Sequence, residues 1–217
     1  MKLHLDRRRL LGIGALLPFV ARAQSRGPVE GTDFKLVQPP QPVESGNKVE
    51  VLEFFYYLCP HCYSFRPELE AWRKKMPSDV DYRRIHINWD NSNLNHTKMY
   101  YALEQLGRIG DMHEKIFDAI HVAKKRLLDP NEIADLMAAN GIDRKQFLEM
   151  FNSFTVASRV NKAGQTWRAY KVDGTPTMSC DGKFLTSPSM VGSTSGCLAV
   201  LDFLIQRARG EHGNVKK

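Results

Sequence analysis

The period of the apolar positions changes several times along the chain, and each change marks a predicted element. Val49 to Tyr57 is β-branched and aromatic with little polar alternation, the pattern of a buried central strand. That strand runs directly into Cys59. From Cys62 onward Tyr63, Phe65, Leu69, Trp72 and Met76 recur at near-helical intervals, which predicts a helix from about Pro60 to Lys75, closed by Pro77-Ser78. Val80, Tyr82, Ile85 and Ile87, set among polar residues, predict a second strand over Val80–Trp89.

From Asn95 to about Tyr170 the pattern is helical throughout. Five helices are expected, over Thr97–Leu106, Asp111–Val122, Pro130–Asn140, Arg144–Asn152 and Thr155–Tyr170. Asp129-Pro130 and Ile142-Asp143 read as N-cap starts and Asn140-Gly141 as a C-terminal stop. Strand signals return at Thr177–Cys180 and Lys183–Thr186 around Asp181-Gly182, a hairpin dipeptide, and a closing helix is expected over Ser195–Arg209. The lead-in from Gly27 to Lys48 is rich in Pro, Gly and Gln, with one short strand signal at Phe34–Val37. The order strand, helix, strand, helical block, hairpin, helix describes an α/β fold: one sheet interrupted by an all-helical insertion. The expected division is residues 24–94 and 163–210 for the two parts of the sheet domain, 95–162 for the insertion and 211–217 for a loose C-terminal tail.

Residues 1–23 have the layout of a cleaved export signal. Arg7, Arg8 and Arg9 form a basic region, Leu10 to Val20 a short apolar run broken by Gly12, Gly14 and Pro18, and Ala21-Arg22-Ala23 a small-x-small cleavage site. The run is too short for a membrane span, which needs about 20 apolar residues. Arg7-Arg8-Arg9-Leu10-Leu11 is also compatible with twin-arginine export, so both routes stay open. This segment changes the charge picture: removing it takes away five of the 31 Lys/Arg and one of the 24 Asp/Glu, leaving 26 against 23 and a net charge of +3. Such a balance, with no concentrated basic face, argues against a nucleic-acid partner. Lys124-Lys125-Arg126 reads as a solvated helix end.

Four cysteines in a chain of 217 residues need individual explanations. Cys59-Pro60-His61-Cys62 sits where a buried strand becomes a helix, and the amides and dipole of a helix N-terminus favour an anion there. Thiol–disulfide exchange needs a stabilised thiolate and a second sulfur within reach, and two intervening residues in a first helical turn supply both. Cys59 is expected to be the exposed attacking sulfur and Cys62 the buried resolving one, with His61 adding hydrogen bonding or positive charge to the thiolate. Half of a zinc site is the competing reading of such a pair. It would need a second pair or histidines at ligand spacing, and Cys180, Cys197, His86, His96, His113 and His121 offer neither, so no metal and no cofactor are expected. In an oxidising compartment Cys180 and Cys197 are left to each other or free. A structural Cys180–Cys197 disulfide is expected, pinning the closing helix to the strand before it, with two buried free thiols as the alternative.

Leu52-Glu53-Phe54-Phe55, followed by Cys59-Pro60-His61-Cys62-Tyr63-Ser64-Phe65, resembles the active-site segment of the DsbA family of bacterial periplasmic disulfide oxidases. The helical insertion, Gly174-Thr175-Pro176-Thr177 before the hairpin and the final helix extend the resemblance over nearly all of the chain after the signal. The resemblance implies a thioredoxin-like fold, a strongly oxidising Cys59–Cys62 pair, Pro176 as a cis-proline facing that pair, and Thr175 presenting backbone groups to an extended substrate. It also implies that Glu53 is a buried acid beneath the site. Without the family, Gly174-Thr175-Pro176-Thr177 could be an ordinary trans turn and Glu53 could face solvent at a sheet edge.

Threonine before the proline departs from the valine common in the best-known members and is familiar from disulfide isomerases. Those isomerases carry a separate N-terminal dimerisation domain, for which the roughly 35 residues between the cleavage site and Cys59 leave no room. The expected function is therefore donation of the Cys59–Cys62 disulfide to reduced or unfolded exported proteins by a monomer in the periplasm, with reoxidation by a DsbB-like membrane oxidase. Two alternatives stand beside it: an isomerase or reductase of the same fold, and a non-redox module binding unfolded chains through Tyr56, Tyr57, Phe65 and the Thr175-Pro176 loop.

Overall fold

The structure, a computed structural model, describes residues 27–215. The expected export signal, with its arginine run, lies outside the described residues.

A two-residue strand β1 (Lys35–Leu36) precedes β2 (Val49–Phe55), α1 (Pro60–Arg73) and β3 (Val80–His86). Five helices follow: α2 (Leu94–Gln105), α3 (Ile109–His121), α4 (Pro130–Ala138), α5 (Arg144–Phe151) and α6 (Phe154–Ala169). The chain then returns to the sheet with β4 (Thr177–Cys180) and β5 (Phe184–Thr186), and finishes with a single turn α7 (Pro188–Val191) and the long α8 (Thr194–Val215). None of these helices is long and apolar enough to cross a membrane.

The sheet order is β1-β5-β4-β2-β3, with β2 parallel to β3 and every other pairing antiparallel. β2 lies inside the sheet and is buried along its whole length, Glu50 and Glu53 included, as its largely β-branched and aromatic composition anticipates. Its side chains alternate between two layers. Val49 and Val51 join Phe65 and Leu69 of α1 and Leu201 and Leu204 of α8, whereas Leu52 and Phe54 face Val37, Tyr170 and Val172. Between β4 and β5 the three residues 181–183 turn the chain: Asp181 (φ +54°) and Gly182 (φ +67°) are both left-handed, and the Lys183 amide donates to the Cys180 carbonyl at 3.1 Å. Gly182 is obligatory for a second reason: a Cβ there would lie 2.1 Å from the Gln41 carbonyl oxygen of the lead-in segment.

The helices start where side-chain oxygens cap free amides. Asp129 accepts from the amides of Asn131 and Glu132, Asp143 from Gln146 and Ser153 from Val156. Their apolar faces enclose Met99, Leu103, Met112, Ile116, Phe117, Phe147 and Phe151, each adding about 2 kcal/mol by burial. The same cluster reaches Phe55, Tyr57, Cys59 and Cys62, so the helical core is continuous with the segment that carries the cysteine motif.

Three expectations need correction. β2 ends at Phe55 rather than Tyr57, because the chain turns there: the Cys59 amide donates to the Tyr56 carbonyl at 3.1 Å. β3 stops at His86 rather than Trp89. Residues 211–217 are not a loose tail as far as the structure describes them, since α8 runs to Val215 and is held there by Lys183–Glu211 (2.8 Å) and His212–Asp181 (2.9 Å). The length of α8 was not visible in the sequence because Gly210 and Gly213 interrupt its pattern.

Candidate active site

β2 delivers the chain to the N-terminus of α1, and Cys59 is the N-cap of that helix. Pro60, at the first helical position, gives up an amide that would have had no partner. The next free amide that matters is that of Cys62, which donates to the Cys59 sulfur at 3.3 Å. Cys62, Phe65 and Leu69 occupy one buried face of α1, so the helix that carries the second sulfur is anchored by its own core contacts.

Both cysteines are enclosed, Cys59 at 3% and Cys62 at 1% exposure. The expectation of an exposed Cys59 is corrected by the loop that precedes β4: the Thr175 carbonyl oxygen lies 3.4 Å from the Cys59 sulfur, and the Thr175-Pro176 peptide bond is cis. Pro60 and His61 are exposed beside the pair.

The two thiols are driven apart in acidity. Cys59 is lowered from an ordinary 9.0 to about 6, first by a hydrogen bond from the Cys62 thiol, then by the Thr175 side chain and the backbone amides of Cys62 and His61, all against the opposing effect of burial. Thr175 thus acts on the sulfur in two ways: its side chain favours the anion, and its carbonyl oxygen accepts from the neutral thiol. Of His61, the amide reaches the sulfur while the residue itself is exposed. Cys62 is raised well above its ordinary value by burial, then by the neighbouring Cys59 and by the negative charge of Glu53.

Glu53 is buried on β2 and does not face solvent at an edge. Its Oε2 accepts from Arg84 Nε at 2.9 Å and from the Tyr82 hydroxyl, and Arg84 reaches on to Glu70. The carboxylate is therefore held in a buried ion pair next to the cysteines.

Cys180 and Cys197 lie elsewhere, in the layer between β4 and α8. All four cysteines are thiols in this structure, the Cys59–Cys62 pair included, and the expected Cys180–Cys197 disulfide is not formed in it. Cys180 and Cys197 are both free, fully buried thiols among Val51, Phe184 and Leu201, and burial pushes Cys197 up to about 12 and Cys180 higher still. They pack as small apolar side chains.

Sequence reasoning missed the histidines around Tyr57. His86, His113 and His121 each hold one polar group of that residue. The separations of 29, 56 and 64 residues leave no local signal beyond the eight-residue spacing that puts His113 and His121 on one face of α3. Among the described residues no group of three or more His, Cys, Asp or Glu is arranged to hold a metal ion. A cavity of about 160 Å³ between the sheet and α6, with Arg83, Arg84, Arg159, Lys162 and Glu104 in its wall, is lined by neither cysteine and by neither residue of the Thr175-Pro176 loop.

A sulfur that caps a helix as a stabilised anion, with a protonated second sulfur one turn inside, is built to exchange disulfides. On this sheet, with a cis-proline loop opposite, the class is a thiol–disulfide oxidoreductase of thioredoxin-like fold carrying a helical insertion. The comparisons agree. Residues 50–195 match the DSBA-like thioredoxin domain. The chain is 40% identical over 201 residues to the thiol:disulfide interchange protein DsbA of Burkholderia cepacia, covering 92% of this chain and 94% of the relative. For DsbA of Pseudomonas aeruginosa the identity is 36% over 200 residues, again with 92% and 94% coverage. The crystal structure of Pseudomonas aeruginosa DsbA superposes with a TM-score of 0.82 at 35% identity, over 87% of this chain and 97% of that one. NmDsbA1 of Neisseria meningitidis superposes with 0.76 at 27% identity, over 85% and 96%. The chain belongs to the DsbA family.

Proposed function

We propose that this oxidoreductase works as a periplasmic dithiol oxidase. A substrate thiolate attacks the Cys59 sulfur of the Cys59–Cys62 disulfide, and Cys62 leaves, taking a proton to become the neutral thiol that its environment favours. A second substrate thiolate then attacks the substrate sulfur of the mixed disulfide, and Cys59 leaves as the thiolate. The substrate dithiol is oxidised to a disulfide and the protein is left reduced. The partners are reduced or unfolded exported proteins on one side and a DsbB-like membrane oxidase, which restores the disulfide, on the other; the working unit is a monomer.

The observation that carries this reading is the capped Cys59 anion, lowered to about 6. Stabilising the reduced form makes the disulfide a stronger oxidant, and a low-pKa sulfur is also the faster leaving group. Thr175 and Pro176 form the substrate-facing loop, and Glu53 acts through its charge on Cys62. The test mixes oxidised protein with a reduced, unfolded two-cysteine polypeptide. Stoichiometric disulfide transfer is expected, with Cys59→Ala inactive and Cys62→Ala held as a mixed disulfide through Cys59. Adducts on Cys62 would reverse the roles, and transfer by Cys59→Ala would refute the reading.

Thr175 beside Cys59 supports a second reading, isomerisation, since its side chain favours the thiolate while its carbonyl oxygen accepts from the neutral thiol. Faster rearrangement of a scrambled, fully oxidised substrate than net oxidation of a reduced one would favour it.

A further inference from the structure

Tyr57 is the second residue of the turn that ends on Cys59, and it is fully buried. All three of its polar groups are held by imidazoles. Its amide donates to His86 Nε2 at 3.3 Å, its hydroxyl meets His113 Nδ1 at 3.1 Å, and its carbonyl oxygen accepts from His121 Nε2 at 2.8 Å. The amide and carbonyl of Tyr57 belong to the two successive peptide units that lead to Tyr57 and to Leu58, inside the turn that ends on Cys59. Fixing both leaves the turn little freedom in delivering the Cys59 sulfur to α1.

The three histidines are not equivalent. His86 accepts at Nε2, so its proton sits on Nδ1, which faces the Thr97 hydroxyl at 2.9 Å on α2. His86 and His113 are enclosed. His121 is half-buried at the last position of α3, and because a carbonyl only accepts, its Nε2 carries the proton. Its ring also stacks on Tyr63, with centroids 4.7 Å apart and planes at 20°. Tyr63 is the residue whose amide closes the first helical turn onto the Cys59 carbonyl at 3.1 Å. One side chain from the helical insertion therefore grips the chain two residues before Cys59 and immediately after Cys62.

We propose that His121 is a positioning residue for the disulfide-exchange site: its Nε2–H holds the Tyr57 carbonyl so that the turn seats the Cys59 sulfur on the Cys62 amide. This rests on the reading of Cys59 as the reacting thiolate. His121 touches neither sulfur; it acts through Tyr57 and Tyr63. Losing the donor frees one peptide of the turn, lengthens the Cys59 cap on average and weakens the reduced form relative to the disulfide. The cost is that of one hydrogen bond, about fivefold in the equilibrium with glutathione.

The experiment compares wild type with His121→Phe, which keeps a ring for Tyr63 and loses the donor, and His121→Gln, which restores an N–H donor. His121→Ala, at this half-buried helix end, is a second donor-free variant should the phenylalanine not be accommodated. Thiolate absorbance titrates Cys59 in each reduced protein, and a glutathione series gives each equilibrium constant. The expected result is a raised Cys59 pKa and a disulfide weaker as an oxidant by about fivefold in His121→Phe and His121→Ala, largely restored in His121→Gln. Wild-type titration in the donor-free variants, or an equal shift in His121→Gln, would overturn the positioning role. A wild-type protein whose Cys59 titrates like a free thiol would instead overturn the oxidase reading on which it rests.

Discussion

The Cys62 amide donates to the Cys59 sulfur at 3.3 Å, so the helix that carries one cysteine is capped by the other. The Cys62 thiol is also the largest of the influences that lower the pKa of Cys59. Cys62→Ala should therefore do two things at once. It should leave Cys59 able to form mixed disulfides and should raise its pKa above the wild-type value. Thiolate titration of the reduced variant checks this; a Cys59 as acidic as in wild type would assign the stabilisation to the backbone amides alone.

The shift at Cys59 makes the stability of the reduced protein depend on pH. The folded pKa is depressed to about 6 from an ordinary 9.0, so the thiolate stabilises the folded, reduced form fully above about pH 9. That contribution is lost as pH falls through about 6. The disulfide form has no such group at this site. Denaturant unfolding of both forms across this range should show the reduced form losing stability relative to the oxidised form on acidification, by a few kcal/mol. A difference independent of pH would contradict the thiolate assignment.

Much of this architecture was legible in the sequence, for local reasons. The apolar residues of Val49 to Phe55, on both faces of the strand despite Glu50 and Glu53, mark a strand covered on both faces, and Asp129, Asp143 and Asp181-Gly182 announce caps and a turn within a few residues of where they act. The Cys-x-x-Cys motif at a strand-to-helix junction named its own chemistry. What stayed hidden depends on distant partners. The enclosure of Cys59 comes from Thr175, 116 residues away, and the grip of His121 on Tyr57 spans 64 residues. The α7 turn is four residues long and carries no period that could be read.

Glu53 and Arg84, paired across β2 and β3, form an ion pair in which both side chains are largely buried. Glu53→Leu leaves Arg84 buried with Glu70 as its remaining acidic partner and the Tyr82 hydroxyl without its acceptor. A loss of about 3 kcal/mol in urea unfolding is expected, because a buried charge that loses its most buried partner is costly. Combining Glu53→Leu with Arg84→Met should recover part of that loss. A single variant as stable as wild type would show that the pair is dispensable.

Cys180 and Cys197 are predicted to remain thiols in protein whose Cys59–Cys62 pair is oxidised. Their burial and raised pKa values make them unreactive while the fold is intact. Thiol counting should find none reactive in the native oxidised protein and two after denaturation, mapped to these positions. No thiols after denaturation would restore the structural disulfide.

The central claim is that a helix-capping Cys59 anion makes this pair an oxidant, and the most direct test is its reduction potential, measured by equilibrating the protein in glutathione buffers and counting Cys59–Cys62 dithiol against disulfide. The account predicts a potential clearly less negative than about −200 mV, on the oxidising side of the glutaredoxins. A value near the −270 mV or so of a reducing thioredoxin would contradict it.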